Sequence, residues 1–322
     1  MAHLTNPLAT PSQLYALTNL NSPLPVDLQH SIRFYTSRLT QAAGLLLRLP
    51  QDITAQANVL LYRYWLVDPL LSWEFSDVSA AVLYLTAKIS ASPRSLRSIT
   101  NVYAYLLSPH SHLSSKPSTT PPDPESYYLS EGEYITFRNR ILNIEGQILN
   151  ALGFNTHVAL PHPLAITYLQ TLDVFSSPKS TSSRVAKRTV EYLNTALLSP
   201  QMLYLTHQPN ALATAAVYLA AREEGVKLPE SEWWTVFDVE REELGFLCVG
   251  MGSLLGFVEK EEQRWGEGRG IITRATVREE IERLGLNGEG RVGNGVDGGE
   301  IEEDEEAQMA RMLDEKVAAA AT

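Results

Sequence analysis

A single cysteine, Cys248, among 322 residues removes any intrachain disulfide framework and any zinc site built from several thiolates. Long apolar runs are missing too. No stretch approaches the roughly 20 apolar residues that cross a bilayer, so no membrane partner is expected. Basic residues are outnumbered, 26 Lys and Arg against 37 Asp and Glu, and the formal net charge of -11 argues against direct nucleic-acid binding. The opening residues carry neither the basic nor the apolar segment of a secretory signal, and no N-x-S/T acceptor occurs; the expectation is an intracellular protein. Catalytic signatures are lacking as well: there is no H-E-x-x-H, no P-loop and no G-x-S-x-G. The histidines do not gather on one scaffold, with His110 and His112 in a proline-rich loop, His157 and His162 around a connector, and His207 ahead of a helix. Residues 288–293 fit G-x-G-x-x-G, but a dinucleotide site needs a strand before that motif and a helix after it, and neither pattern is there. No cofactor, no metal and no catalytic residues are therefore expected.

What remains is helical. At 44% hydrophobic and 20% charged residues the composition is globular, and apolar residues recur at helical spacing almost throughout, which predicts an all-α fold. Residues 1–25 hold Pro7, Pro11, Pro23 and Pro25 and read as an irregular arm, with Leu14, Tyr15, Leu17 and Leu20 available to anchor it. Five helical patterns follow, at about 27–47, 52–64, 76–90, 92–107 and 141–154, with the proline- and serine-dense stretch 108–130 as a loop insertion. Residues 157–163 read as an interdomain linker. A second helical set runs from Leu164 to about Lys260; in it Trp233 and Trp234 are expected to fill the core, and Gly250, Gly252 and Ser253 to permit close helix approach. Ser177, before Pro178, fits a proline-directed phosphorylation pattern. Beyond 260, glycines and the acidic run 300–306 mark a largely flexible tail, 261–322, with one late helix at about 274–284 and another at 301–317.

Residues 81–88 (AVLYLTAK) match residues 215–222 (AAVYLAAR), at an offset that also aligns Ser76 with Asn210 as N-terminal caps; Asp77 is the other candidate cap of the first helix. With similar helix numbers on either side, this predicts two copies of one helical module, 26–158 and 159–260.

Two charges stand where apolar stripes do not want them. Lys88 edges the stripe of Val78, Val82, Leu85 and Ile89; Glu145 falls inside the arc of Ile141, Ile148, Leu149 and Leu152. A charge placed there needs a partner. One reading has Lys88 snorkelling to water and Glu145 held by a backbone amide or an internal arginine; the other has both rimming a groove that receives a partner's helix.

Several phrases resemble successive landmarks of the cyclins, most closely the L-type cyclins: 41–51 (QAAGLLLRLPQ), 82–89 (VLYLTAKI), 92–103 (SPRSLRSITNVY), 144–158 (IEGQILNALGFNTHV), 209–222 (PNALATAAVYLAAR) and 228–234 (LPESEWW). The resemblance covers roughly residues 25–260. It implies tandem cyclin boxes of five helices each and a regulatory subunit that binds and activates a cyclin-dependent Ser/Thr protein kinase in RNA polymerase II transcription or pre-mRNA splicing, in the nucleus. It also implies that Lys88 and Glu145 are the kinase-binding residues of the first box, that transcription or splicing factors are further partners, and that the catalytic groups belong to the kinase. A TFIIB-type factor uses the same fold on DNA, but it ordinarily brings a zinc ribbon and a basic surface, against one cysteine and a negative charge here. A cyclin-fold scaffold that activates nothing is the other alternative.

Overall fold

Small residues decide which helices sit at the centre. In the structure, a computed structural model describing residues 4–18, 24–114, 127–176, 178–285 and 312, every regular element among the described residues is helical. The α-helices are α1 (Pro11–Thr18), α2 (Val26–Leu46), α3 (Gln51–Tyr64), α4 (Phe75–Ile89), α5 (Leu96–Leu107), α6 (Glu131–Ala151) and α7 (Pro161–Thr171). They continue as α8 (Lys179–Ala196), α9 (Leu203–Thr206), α10 (Pro209–Glu223), α11 (Arg241–Gly252), α12 (Leu254–Trp265) and α13 (Arg274–Arg283), with 3₁₀ turns at Val174–Ser176 and Trp233–Phe237.

Helix α4 is buried nearly all round, with Ser79, Ala80, Ala81 and Ala87 leaving room for neighbours on every side, and it touches α2, α3, α5 and α6. Helix α10, rich in Ala211, Ala213, Ala215, Ala216, Ala220 and Ala221, does the same with α7, α8 and α11. A helix that is apolar or small on every face belongs inside a bundle. Both have 15 residues, and the shift that superimposes 81–88 on 215–222 also aligns their first and last residues. The caps differ from expectation. Glu74, not Ser76 or Asp77, caps α4 by accepting from the Phe75 N–H, and Asn210 lies inside α10, donating to the Phe237 and Asp238 carbonyls.

Other boundaries moved for local reasons. Helix α6 begins at Glu131, ten residues before the apolar arc that announced it, because Ser130 and Glu133 form a reciprocal capping box. Part of the arm is helical, as α1, and Tyr15 faces solvent rather than anchoring it. The connector is shorter than 157–163, since Pro161 starts α7 with the fixed φ that suits a first helical position. The apolar stretch 240–257 is two helices broken at Ser253. Gly250 lets α11 approach Gln201 and Leu203, where a Cβ would stand 3.0 Å from the Gln201 Oε1, whereas Gly252 faces open space. Trp233 is buried and Trp234 packs against the core, as expected.

Residues 254–285 return to the first half, so the first part of the expected flexible tail, 261–285, is packed. Phe257 packs edge-on to Phe34 at 5.4 Å, and Trp265 Nε1 donates to Ser31 Oγ and Glu261 Oε2. The Gly270 N–H donates to the Leu113 carbonyl at 3.0 Å, so close that a Cβ there would meet the Leu113 backbone at 2.6 Å. The expected late helix is α13; its first N–H, of Arg274, donates to Glu74, which thereby serves two helix starts, and Ile272 and Val277 are buried. The expected helix at 301–317, the acidic run and Ser177 fall outside the described residues, as does the greater part of the loop insertion.

Candidate functional site

Helices α4 and α6 are joined by two ion pairs of opposite sense. On α4, the Asp77 carboxylate accepts from Arg140 Nε at 3.0 Å; eleven residues on, Lys88 Nζ donates to Glu145 Oε1 at 2.7 Å. A slide of one helix along the other breaks both pairs, so the charges fix the register of α6 on α4. The Trp73 Nε1–H donation to Gln147 Oε1 at 2.7 Å adds a third polar tie.

The Lys88–Glu145 pair is asymmetric. The lysine side chain is 48% exposed, and its Nζ lies 5.4 Å from the Tyr84 ring centroid, while the Glu145 side chain is 7% exposed. Glu145 is therefore the interior member, and the partner it needs is neither a backbone amide nor an arginine but Lys88 itself. The two residues singled out from sequence are thus brought together, although Glu145 is not the partly exposed rim residue that the groove reading expected. Next to Lys88, Ile89 is 49% exposed, and at the exit of α6 Phe154 is 69% exposed in left-handed backbone, its N–H closing on the Leu149 carbonyl at 2.8 Å. Phe154 stands nine residues past Glu145, three of them beyond the end of α6. Ile89, the residue after Lys88, thus sets a large exposed apolar side chain next to a half-exposed cation in the chain.

Sequence reasoning missed Asp77–Arg140, Ile89 and Phe154. Asp77 reads as a cap because it stands at the start of an apolar stripe, and Arg140 lies just before the apolar arc that marks α6 in the sequence; charges at the edges of two apolar stripes were the available signal. No groups of His, Cys, Asp or Glu among the described residues are arranged to hold a metal. An open groove of about 340 Å³, lined by Leu4, Val158, Leu160, Pro163 and Leu164, lies beside the connector and away from the ion pair.

No family model matches the chain. Mouse cyclin-L2 is 31% identical over 246 residues, which is 76% of this chain and 44% of the relative, and chicken cyclin-L1 is 30% identical over 247 residues, 76% and 43%. The chain is homologous to the L-type cyclins. It spans about half or less of the length of the curated L-type cyclins it matches. A solved structure, that of the CAK complex from Chaetomium thermophilum bound to ATP-gamma-S, contains a chain of the same fold, with TM-score 0.58, 15% identity and coverage of 90% of this chain and 93% of that one. At that identity the likeness concerns fold alone. The stretch homologous to L-type cyclins includes both helices of the double ion pair, α4 and α6, so the pair belongs to the part of the molecule that the relatives share.

Proposed function

We propose that the chain is the regulatory cyclin subunit of a cyclin-dependent Ser/Thr protein kinase, acting in RNA polymerase II transcription or pre-mRNA splicing in the nucleus. On this reading α2–α6 and the helices around α10 are tandem cyclin boxes, 26–158 and 159–260, and the first box contacts the kinase through Lys88 and Glu145. The observation that carries it is the half-exposed Lys88 ammonium, oriented by a buried carboxylate and followed in the chain by exposed Ile89, in a chain homologous to L-type cyclins.

The chemistry asked of the chain is mechanical. A rigid face presses the kinase's regulatory helix inward, so that the kinase's own lysine and glutamate pair around the ATP phosphates. Its contribution is a shift in the population of the active kinase conformation, with every phosphoryl-transfer group on the kinase side. A rigid face suits that task because strain stored in the cyclin would weaken the push, and two ion pairs with one indole–amide bond hold α6 on α4. Exposed Ile89 supplies apolar area beside a charge that becomes desolvated on binding.

The test is co-expression of the chain with a panel of cyclin-dependent kinase catalytic subunits, scored for co-purification and for stimulated phosphorylation of a polymerase C-terminal-domain peptide. At least one subunit should bind and be stimulated. Binding without stimulation would favour the scaffold alternative, and no binding across the panel would reject the reading.

A further inference from the structure

Asn6 precedes α1 and is buried, with each backbone and side-chain polar group engaged. Its N–H donates to Gln208 Oε1 at 3.0 Å, and its carbonyl accepts from Gln208 Nε2 at 3.0 Å. The side chain does likewise with another backbone: Nδ2 donates to the Ala159 carbonyl at 2.8 Å, and Oδ1 accepts from the Ala159 N–H at 2.8 Å and from Arg63 Nη2 at 3.1 Å. Arg63 Nη1 also donates to the His157 carbonyl at 2.7 Å, and three residues past Asn6 the Ala9 N–H donates to the Leu205 carbonyl at 2.8 Å. These partners belong to different parts of the molecule. Arg63 is on α3, His157 and Ala159 are on the connector between α6 and α7, Leu205 is on α9, and Gln208 immediately precedes α10.

Two reciprocal amide pairings on one residue restrict both sliding and rotation, because each requires a donor and an acceptor in fixed order. Only a carboxamide fits the Ala159 side of this arrangement: a carboxylate would turn a lone pair toward the Ala159 carbonyl, and a hydroxyl is too short to serve both atoms. Arg63 explains why an acceptor is needed. It is buried, its guanidinium pKa pushed down to about 10 by burial, and the acceptors it meets are the Asn6 and His157 oxygens rather than a carboxylate. A buried cation held by dipoles loses much when one of them goes.

We infer that Asn6 is a clamp that fixes the orientation of the helices around α10 relative to those around α4, and that it is a positioning residue for the exit of α6. The second part follows from chain continuity. The connector held by Asn6 and Arg63 runs directly back through Thr156, whose carbonyl accepts from Gln56 Nε2 at 2.8 Å, to Phe154 and the end of α6. Only the consequence for a kinase rests on the function proposed above; the clamp itself concerns the free protein.

The experiment uses the full chain carrying Cys248→Ser, with spin labels at the exposed positions Arg138→Cys on α6 and Lys187→Cys on α8, and distances read by double electron–electron resonance. The unsubstituted clamp should give one narrow distribution. Asn6→Ala, and a variant lacking residues 1–10, should at least double its width with helical circular dichroism retained, and amide exchange over residues 150–160 should quicken at least tenfold. Gln208→Ala, which removes only the backbone pairing, should broaden the distribution less, and it serves as the readout if Asn6→Ala does not fold. A distribution that stays narrow in both the truncated variant and Gln208→Ala would overturn the clamp, and unchanged exchange over 150–160 would overturn the positioning role. Neither readout needs a kinase, so the clamp and the proposed function fail separately.

Discussion

Lys88 and Glu145 divide one ion pair unequally between water and the interior, and this decides which single substitution hurts. Lys88→Ala leaves the Glu145 carboxylate buried without its cation, at a cost of about 1–3 kcal/mol for an unsatisfied buried acceptor. Glu145→Ala leaves an ammonium already half in water, so its stability cost should be smaller. The double alanine variant should recover most of the Lys88→Ala loss, since a pair removed whole leaves no orphan charge. Thermal unfolding of the three variants checks the order; equal melting points for both single variants would show that the pair is not held as described. On the proposed function, all three should lose kinase affinity whatever their stability. The two charges were legible in the sequence because each interrupts an apolar stripe, but their mutual contact was not, because 57 residues separate them and only the packing of α4 on α6 closes that gap.

Histidines at the same scale set a pH response. Burial lowers the pKa of His30, His162 and His207. The unfolded chain then binds protons before the folded one, so stability falls as pH drops below about 6.5 toward the folded values. Glu74 and Glu261, whose carboxyl pKa values burial raises, act in the opposite direction just above the ordinary carboxylate range. The melting temperature should therefore decline from pH 7 to pH 5.5, and His162→Gln should flatten part of that slope. An unchanged slope would mean that His162 does not stay neutral in the folded state.

Among the elements, α6 shows how a boundary escapes a periodicity argument. Its buried residues Gly132, Phe137, Ile141, Ile144, Glu145 and Ile148 continue one stripe, but between 131 and 140 that stripe is thin and interleaved with Glu131, Glu133, Arg138 and Arg140. The capping box at Ser130 and Glu133 was the better signal. Ser130→Ala should cost about 1 kcal/mol and quicken amide exchange in the first turn of α6, leaving the turn around Glu145 protected. Loss of protection along the whole helix would mean that the cap nucleates α6 rather than trimming its end. By contrast, the central place of α4 and α10 was legible although their caps were not, since a helix made of small and apolar residues on every face has only one place to go. The break between α11 and α12 was not, because Ser253 shares the last turn of one helix and the start of the next, bonding its Oγ to the Gly250 carbonyl.

For the whole molecule, the segment from Leu254 to Gly285 is the largest departure from the sequence reading, and it changes where the chain can be cut. Composition drew the boundary near Lys260 because charges and glycines accumulate there, yet the apolar residues that follow are few and well placed. Ile272 and Val277 are buried, Trp265 reaches Ser31, and Arg264 bridges Asp27 at 3.6 Å and Glu280 at 3.8 Å. Hydrophobic burial acts through area, so two buried aliphatic side chains stabilise by about 1.5–3 kcal/mol each, even when they stand among polar neighbours that mask them in a composition count. Against a total stability of about 5–15 kcal/mol, that is a large share. A variant ending at Lys260 should therefore melt many degrees lower and lose the Glu74 link between α4 and α13, whereas one ending at Gly285 should match the full chain in melting temperature. On the proposed function, the Gly285 variant should also keep kinase affinity within about threefold. Equal melting temperatures for the two truncations would show that α13 and the turn before it are held only weakly, and a lower melting temperature for the Gly285 variant than for the full chain would assign a stabilising role to residues 286–322.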